Sequence, residues 1–206
     1  MKNWPRTPLL RNSLEPNPIS QFIRWLREAE QAEVPLPNAM TLATSSRQGK
    51  PSARVVLLKE VDERGFVFFT NYESRKAQEL RENPLASLVF CWLPLSRQVR
   101  VEGIVEQSGA AESDLYFSGR PRGYQLGAHA SPQSEIIRDR SSLEKRFKDL
   151  TRKFEGQDVP RPLHWGGYRV VPGVMEFWQE GENRLHDRLR YRRDEAGNWV
   201  IERLAP

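Results

Sequence analysis

The chain of 206 residues contains a single cysteine, Cys91. One thiol can neither close an internal disulfide nor build a Cys/His zinc cluster, so a reducing compartment and no structural metal are expected. Long apolar runs are missing as well. No stretch approaches the roughly 18 to 20 residues that a membrane span needs, and Met1-Lys2-Asn3-Trp4-Pro5 lacks the apolar segment of a secretory signal. These absences point to a cytoplasmic protein with no membrane partner. The three histidines, His129, His164 and His186, are too scattered to argue for a metal. Gly-x-Gly-x-x-Gly, a Walker loop, a Gly-x-Ser-x-Gly elbow and His-Glu-x-x-His are all absent, which sets aside the common nucleotide and hydrolase signatures.

What is present is charge. Lys and Arg total 32 against 27 Asp and Glu, a net charge of +5 with a pI near 9.5. A basic balance raises the question of nucleic acid, so the distribution decides. Cations are interleaved with acids, as in Glu144-Lys145-Arg146-Phe147-Lys148-Asp149, and no continuous basic stripe forms. The densest stretch, Arg184 to Arg193, is rich in arginine, whose forked donors suit phosphate or carboxylate.

The pattern along the chain is mixed. Residues 1 to 16 show no periodicity and read as a mobile arm, leaving 17–206 as a single domain. Asn17-Pro18 caps an amphipathic helix carrying Ile19, Phe22, Ile23, Leu26 and Ala29, which ends before Pro35. Short β-type runs follow at 40–44, 53–58, 66–70, 86–92 and 99–105, separated by turn signals such as Asp62-Glu63-Arg64-Gly65. Helices are expected at 74–82, with Ser74 as cap, at 111–117 and at 141–154. Strands resume at 167–171, 174–179, 184–191 and 199–203. The fold class is α+β, mainly antiparallel, with a barrel or sandwich assembled from both halves of the chain.

Three segments could carry chemistry. Read as a strand, Arg184-Leu185-His186-Asp187-Arg188 puts two guanidiniums and an imidazole on one face, an anion-seeking group that titrates near neutrality. An exposed strand of alternating charge shows the same pattern. Arg54 and Lys59 flank an apolar run, and their odd separation places them on opposite faces unless the strand end turns. Ser74-Arg75-Lys76 at a helix start brings unpaired N–H groups, the helix dipole and two cations together, as a phosphate cradle requires. Basic residues also stand at helix starts without any ligand.

These segments, taken in order with Phe69-Thr70-Asn71, Arg97-Gln98-Val99, Tyr116-Phe117, Arg120-Pro121-Arg122, Gln125-Leu126-Gly127-Ala128, Gln133-Ser134, Phe177-Trp178-Gln179 and Arg203-Leu204-Ala205-Pro206, resemble the pyridoxine/pyridoxamine 5′-phosphate oxidase family. The resemblance runs from about residue 17 to the C-terminus. It implies a split β-barrel with peripheral helices, a homodimer with FMN at the subunit interface, and a flavoprotein oxidoreductase of pyridoxal phosphate salvage. On this resemblance Arg54, Thr70, Arg75, Lys76, Gln133 and Ser134 contact the FMN phosphate and ribityl chain. Val55, Val56, Leu57, Leu58, Phe69, Gln98, Trp178 and Arg188 surround the rest of the flavin. Lys59, Tyr116 and Arg120 match substrate-phosphate contacts, and Tyr124 stands where the family usually has a serine. Arg184 and His186 match the catalytic pair that holds the substrate ring against the flavin.

Family members also close an N-terminal arm with an arginine and a tyrosine, where this chain has Met1 and Trp4. The implied reaction takes pyridoxamine or pyridoxine 5′-phosphate to pyridoxal 5′-phosphate, with dioxygen reduced to hydrogen peroxide. Two phosphates, one on cofactor and one on substrate, account for the two cation clusters. Two readings compete: a related split-barrel flavoprotein such as a phenazine-biosynthesis oxidase, and a non-catalytic module binding FMN or nucleic acid.

Overall fold

A computed structural model describes residues 7–206. Met1 and Trp4 therefore lie outside the described residues, as does the first part of the expected arm. Residues 7–16 lie against the sheet: Gln179 Nε2 donates to Thr7 O at 2.7 Å, Leu9 N donates to Asp187 Oδ2 at 2.9 Å, and Tyr191 OH donates to Glu15 O at 2.7 Å. Leu9 and Leu14 are buried, which explains the docking of a segment without periodicity.

Helix α1 (Pro18–Gln31) starts as expected, with Asn17 Oδ1 accepting from Ile19 N at 2.8 Å. Its buried face carries Ile19, Phe22, Trp25 and Ala29. Phe22 meets Phe66 edge-on at 4.9 Å and Phe90 at 4.7 Å, and Trp25 meets Phe177 at 5.2 Å. The helix therefore plugs the concave side of the sheet.

The strands are β1 (Ala39–Ser45), β2 (Pro51–Leu57), β3 (Glu60–Asp62), β4 (Gly65–Asn71), β5 (Leu85–Trp92), β6 (Arg97–Gln107), β7 (Trp165–Gln179), β8 (Asp187–Arg193) and β9 (Trp199–Arg203). They form one antiparallel sheet in the order β2-β1-β5-β6-β7-β4-β3, with β8 and β9 continuing from β7. The expected strands at 167–171 and 174–179 are a single 15-residue strand. Pro172 is tolerated inside it because it faces Gly103 at a register shift, where a ladder N–H is not required. Gly103 leaves no alternative: a Cβ there would stand 2.0 Å from Val171 O.

The helices are α2 (Arg75–Glu82), α3 (Ala110–Ser118), α4 (Arg122–Ala130) and α5 (Arg140–Lys153). Helix α4 falls in a stretch to which the sequence pattern assigns no element, and its Gly123 and Gly127 weaken helix propensity. Burial of Leu126 and Ala130 overrides it. Leu126 joins Phe117, Phe154, Val159 and Trp165 in a second apolar cluster. Ser74 occupies the N-cap position of α2 without capping it. Its hydroxyl is buried and donates backward to Asn71 O at 2.7 Å. Among the described residues no helix is long and apolar enough to cross a membrane.

Candidate active site

A cleft of about 810 Å³ opens beside β2, β4 and α3, within the size range of small-molecule sites. Strand β2 ends at Leu57, so the chain turns before Lys59, and Arg54 and Lys59 line one cleft despite their odd spacing. Val55, Val56, Leu57, Phe69, Thr70, Lys76, Tyr116, Arg120, Tyr124 and Gln133 also line it. The rim is unusually apolar for exposed surface: Val55 is 68%, Leu115 78% and Tyr124 66% exposed.

One end of the cleft is a cation cluster. Arg54 Nη1 donates to Thr44 Oγ1 at 2.6 Å and Leu42 O at 3.1 Å, while Nη2 donates to Ser52 Oγ at 2.5 Å. Lys76 Nζ donates to Gln133 Oε1 at 2.7 Å and Thr70 Oγ1 at 3.0 Å. Burial, and then the neighbouring Arg54 charge, bring the Lys76 ammonium down to about 8. Its hydrogen-bond partners, Thr70, Ser74 and Gln133, are all uncharged. Arg75, although expected here, pairs with Glu79 at 2.9 Å and is mostly exposed.

The other end is built on aromatics. Tyr116 stacks on Phe69 with centroids 3.9 Å apart, and Phe69 stacks on Trp165 at 5.4 Å. The Arg120 guanidinium lies over Trp165 at 4.5 Å, and its Nη1 is buried with no hydrogen-bond partner. Burial lowers its pKa, with Tyr116 and Tyr124 opposing the shift. A buried guanidinium nitrogen without an acceptor is costly, and a ligand oxygen entering the cleft would satisfy it.

The remaining nominated residues do not line this cleft. Leu58 is buried in the main core, and Ser134 stands beside Gln133 with a positive φ of 75°. Gln98, Trp178, Arg188 and His186 gather instead along β6, β7 and β8, where Gln98 pairs with Trp178 and Trp178 with Arg188. The His186 ring lies 4.8 Å from Trp178, and its Nδ1 accepts from Gly181 N at 3.2 Å, leaving Nε2 as the N–H of the neutral ring. Arg188 is clamped to Glu176 by two bonds of 2.8 and 3.2 Å, which raises its pKa.

The single strand expected for 184–188 is not formed. Asn183 and Arg184 have positive φ values of 52° and 64°, in a short turn that Gly181 permits, and β8 begins only at Asp187. Arg184 is exposed on that turn. The sequence reading also missed Trp165 and Glu79. The four-residue spacing of Arg75 and Glu79 on one helix face was the available signal for the second.

Comparison with known proteins decides the family. Residues 26–153 match the family described as pyridoxamine 5′-phosphate oxidase, and residues 165–206 match the pyridoxine 5′-phosphate oxidase C-terminal dimerisation region. The chain belongs to the pyridoxamine 5′-phosphate oxidase family. Similar proteins include a pyridoxine/pyridoxamine 5′-phosphate oxidase of Salinibacter ruber, 56% identical over 100% of this chain and 96% of that one. Another, from Cyanothece sp., is 55% identical with the same coverage. Among solved structures, PhzG from Burkholderia lata, in complex with tetrahydrophenazine-1-carboxylic acid, matches with a TM-score of 0.91 at 35% identity, covering 96% of this chain and 98% of that one. Membership makes this chain an oxidoreductase, and the match in fold bears out the split-barrel expectation.

Proposed function

We propose that the protein oxidises pyridoxamine 5′-phosphate and pyridoxine 5′-phosphate to pyridoxal 5′-phosphate in the cytoplasm, using FMN held between two copies of the chain. The observation that carries this reading is the pair of cationic ends in one cleft, one at Arg54 and Lys76, the other at the unpartnered Nη1 of Arg120. Two such ends suit two phosphate monoesters in one cavity. The residues fit a flavin phosphate in kind: an arginine, a lysine of lowered pKa, and hydroxyl and amide groups at Thr70 and Gln133. Val55 to Leu57 offer an apolar wall for the ring system. Held by Arg54, Lys76, Thr70 and Gln133, FMN would supply the two-electron acceptor for oxidation at the substrate's 4′ carbon, with dioxygen as the final acceptor reduced to hydrogen peroxide.

The protein's part is orientation. Lys59, Tyr116 and Arg120 hold the substrate phosphate, with Tyr124 beside them, and so fix the distance from that phosphate to the reacting carbon. Arg184, His186, Gln98, Trp178 and Arg188 come from the second copy and cover the apolar rim, which excludes water from the reacting carbon. The match to a dimerisation region supports that arrangement. His186 Nε2 holds a proton facing the substrate ring, and Arg184 supplies positive charge there.

The PhzG match favours a second reading, in which a reduced phenazine carboxylic acid replaces the phosphate ester. One experiment separates the two. Purified, FMN-loaded protein is given each substrate and peroxide is measured. Peroxide from pyridoxamine 5′-phosphate and none from the phenazine acid is expected; the opposite result, or a protein that takes up no FMN, overturns the proposal.

A further inference from the structure

Beneath the cations of the cleft lies a carboxylate with no place in the reaction as described. Glu79 is buried on the second turn of α2. Its Oε2 accepts from Thr44 Oγ1 at 2.5 Å, Ser52 Oγ at 2.5 Å and Arg54 Nη2 at 3.2 Å, and its Oε1 accepts from Arg75 Nε at 2.9 Å. Both hydroxyls that donate to Glu79 also accept from Arg54, Thr44 from Nη1 and Ser52 from Nη2. The guanidinium is thus gripped at both terminal nitrogens by groups that Glu79 holds in turn. Three separate elements, β1, β2 and α2, converge on this one carboxylate. Burial alone would push the Glu79 carboxyl up, but the bonds from Ser52, Thr44, Arg75 and Arg54 outweigh it and bring it down to about 2, so it is ionised throughout the working range.

We propose that Glu79 is a positioning residue for the anion end of the cleft: through Thr44 and Ser52 it fixes the Arg54 guanidinium beside Lys76, so that a phosphate monoester meets cations already in place. The inference rests on the reading of that end as the FMN-phosphate site. Two effects of opposite sign are at stake. A carboxylate near a bound phosphate repels it, whereas a fixed guanidinium spares the ligand the cost of ordering it. The second effect dominates because Arg54 and Arg75 already neutralise Glu79, leaving Lys76 as the cation whose partners are all uncharged.

The test uses full-length protein freed of flavin, titrated with FMN and, separately, with riboflavin, which lacks the phosphate; quenching of flavin fluorescence reports binding. The wild type should bind FMN more tightly than riboflavin. Glu79→Ala should weaken FMN about tenfold or more, on the scale of a lost charge-assisted hydrogen bond, and leave riboflavin within about twofold. Unchanged or tighter FMN binding would show that Glu79 is only a counter-charge, and equal weakening of both flavins would show only general support of the fold; either overturns the proposal. If Glu79→Ala does not fold, Thr44→Val and Ser52→Ala each cut one link from Arg54 to Glu79, and the same FMN-selective loss is required of them. A wild type that binds the two flavins equally would instead sink the FMN reading itself, and the role of Glu79 with it.

Discussion

Replacing Arg120 by methionine separates ligand recognition from folding, because the two respond in opposite directions. Among the described residues the unliganded guanidinium makes no hydrogen bond, and its Nη1 is buried. Methionine keeps the stem against Trp165 and removes an unsatisfied donor, a relief of about 1 to 3 kcal/mol. It also forfeits the cation–π contact with Trp165, 4.5 Å away, at a cost of about 0.5 to 1 kcal/mol for a partly exposed pair. The unliganded variant should therefore be as stable as the wild type or up to about 2.5 kcal/mol more stable. For a chain of 206 residues each kcal/mol moves the melting temperature by roughly 2 to 4 °C. The phosphate ester, in contrast, loses a charge-assisted hydrogen bond of about 1.5 to 3 kcal/mol, or roughly 10- to 150-fold in affinity. Thermal unfolding without ligand, and titration with pyridoxal 5′-phosphate followed by its absorbance, measure the two effects. A melting temperature lowered by more than about 3 °C, or unchanged ligand affinity, would refute the assignment of Arg120 as an anion receptor.

On the proposed function, Lys76 gives FMN binding a pH dependence. With its folded pKa at about 8 against an ordinary 10.5, the unfolded chain binds more protons between those values, so this group's contribution to stability improves as pH rises through that window. A bound phosphate favours the charged form, so FMN affinity should fall above pH about 8 while riboflavin affinity stays flat; a flat FMN profile, or no flattening in Lys76→Met, would contradict this. Arg184→Ala should impair turnover or substrate affinity far more than FMN retention, and release of FMN with normal substrate binding would remove Arg184 from the substrate side. Phe22→Ala empties the centre of the core, where Phe66 and Phe90 meet, at a cost of about 3 to 5 kcal/mol or roughly 6 to 20 °C. A shift below about 2 °C in thermal unfolding would mean that α1 is not a structural plug.

The sheet was legible where one side of a strand is buried and the other is not, as in β1, whose residues alternate strictly in burial. It was least legible where local rules yield to long-range packing. Pro172 looks like a strand end until Gly103 is seen opposite it, and Gly123 and Gly127 hide a helix that apolar burial forms. At the site, the cations were visible as residue types, but their grouping was not. Arg54 and Lys59 share a cleft because β2 ends between them, and Arg184 leaves the strand because two successive residues take positive φ. Trp165 has its cationic partner, Arg120, far off in the chain, and of Glu79's partners only Arg75 is local, while Thr44 and Ser52, which tie it to the cleft, come from distant strands.

Strand β7 gives the two matched regions of the sequence a shared fate. Its first half pairs with β4 and its second with β8, while β6 runs along its other side from Tyr168 to Gln179. A chain stopping before Trp165 would carry the cation cluster and the Tyr116–Phe69 stack on a sheet split open between β4 and β6, with both flanking ladders unpaired. Such a fragment would offer two sticky edges to its neighbours rather than a working half-enzyme. The C-terminal piece is thus a keystone supplied late in synthesis, and separately produced halves would have to complement one another strand into slot before any cleft could exist.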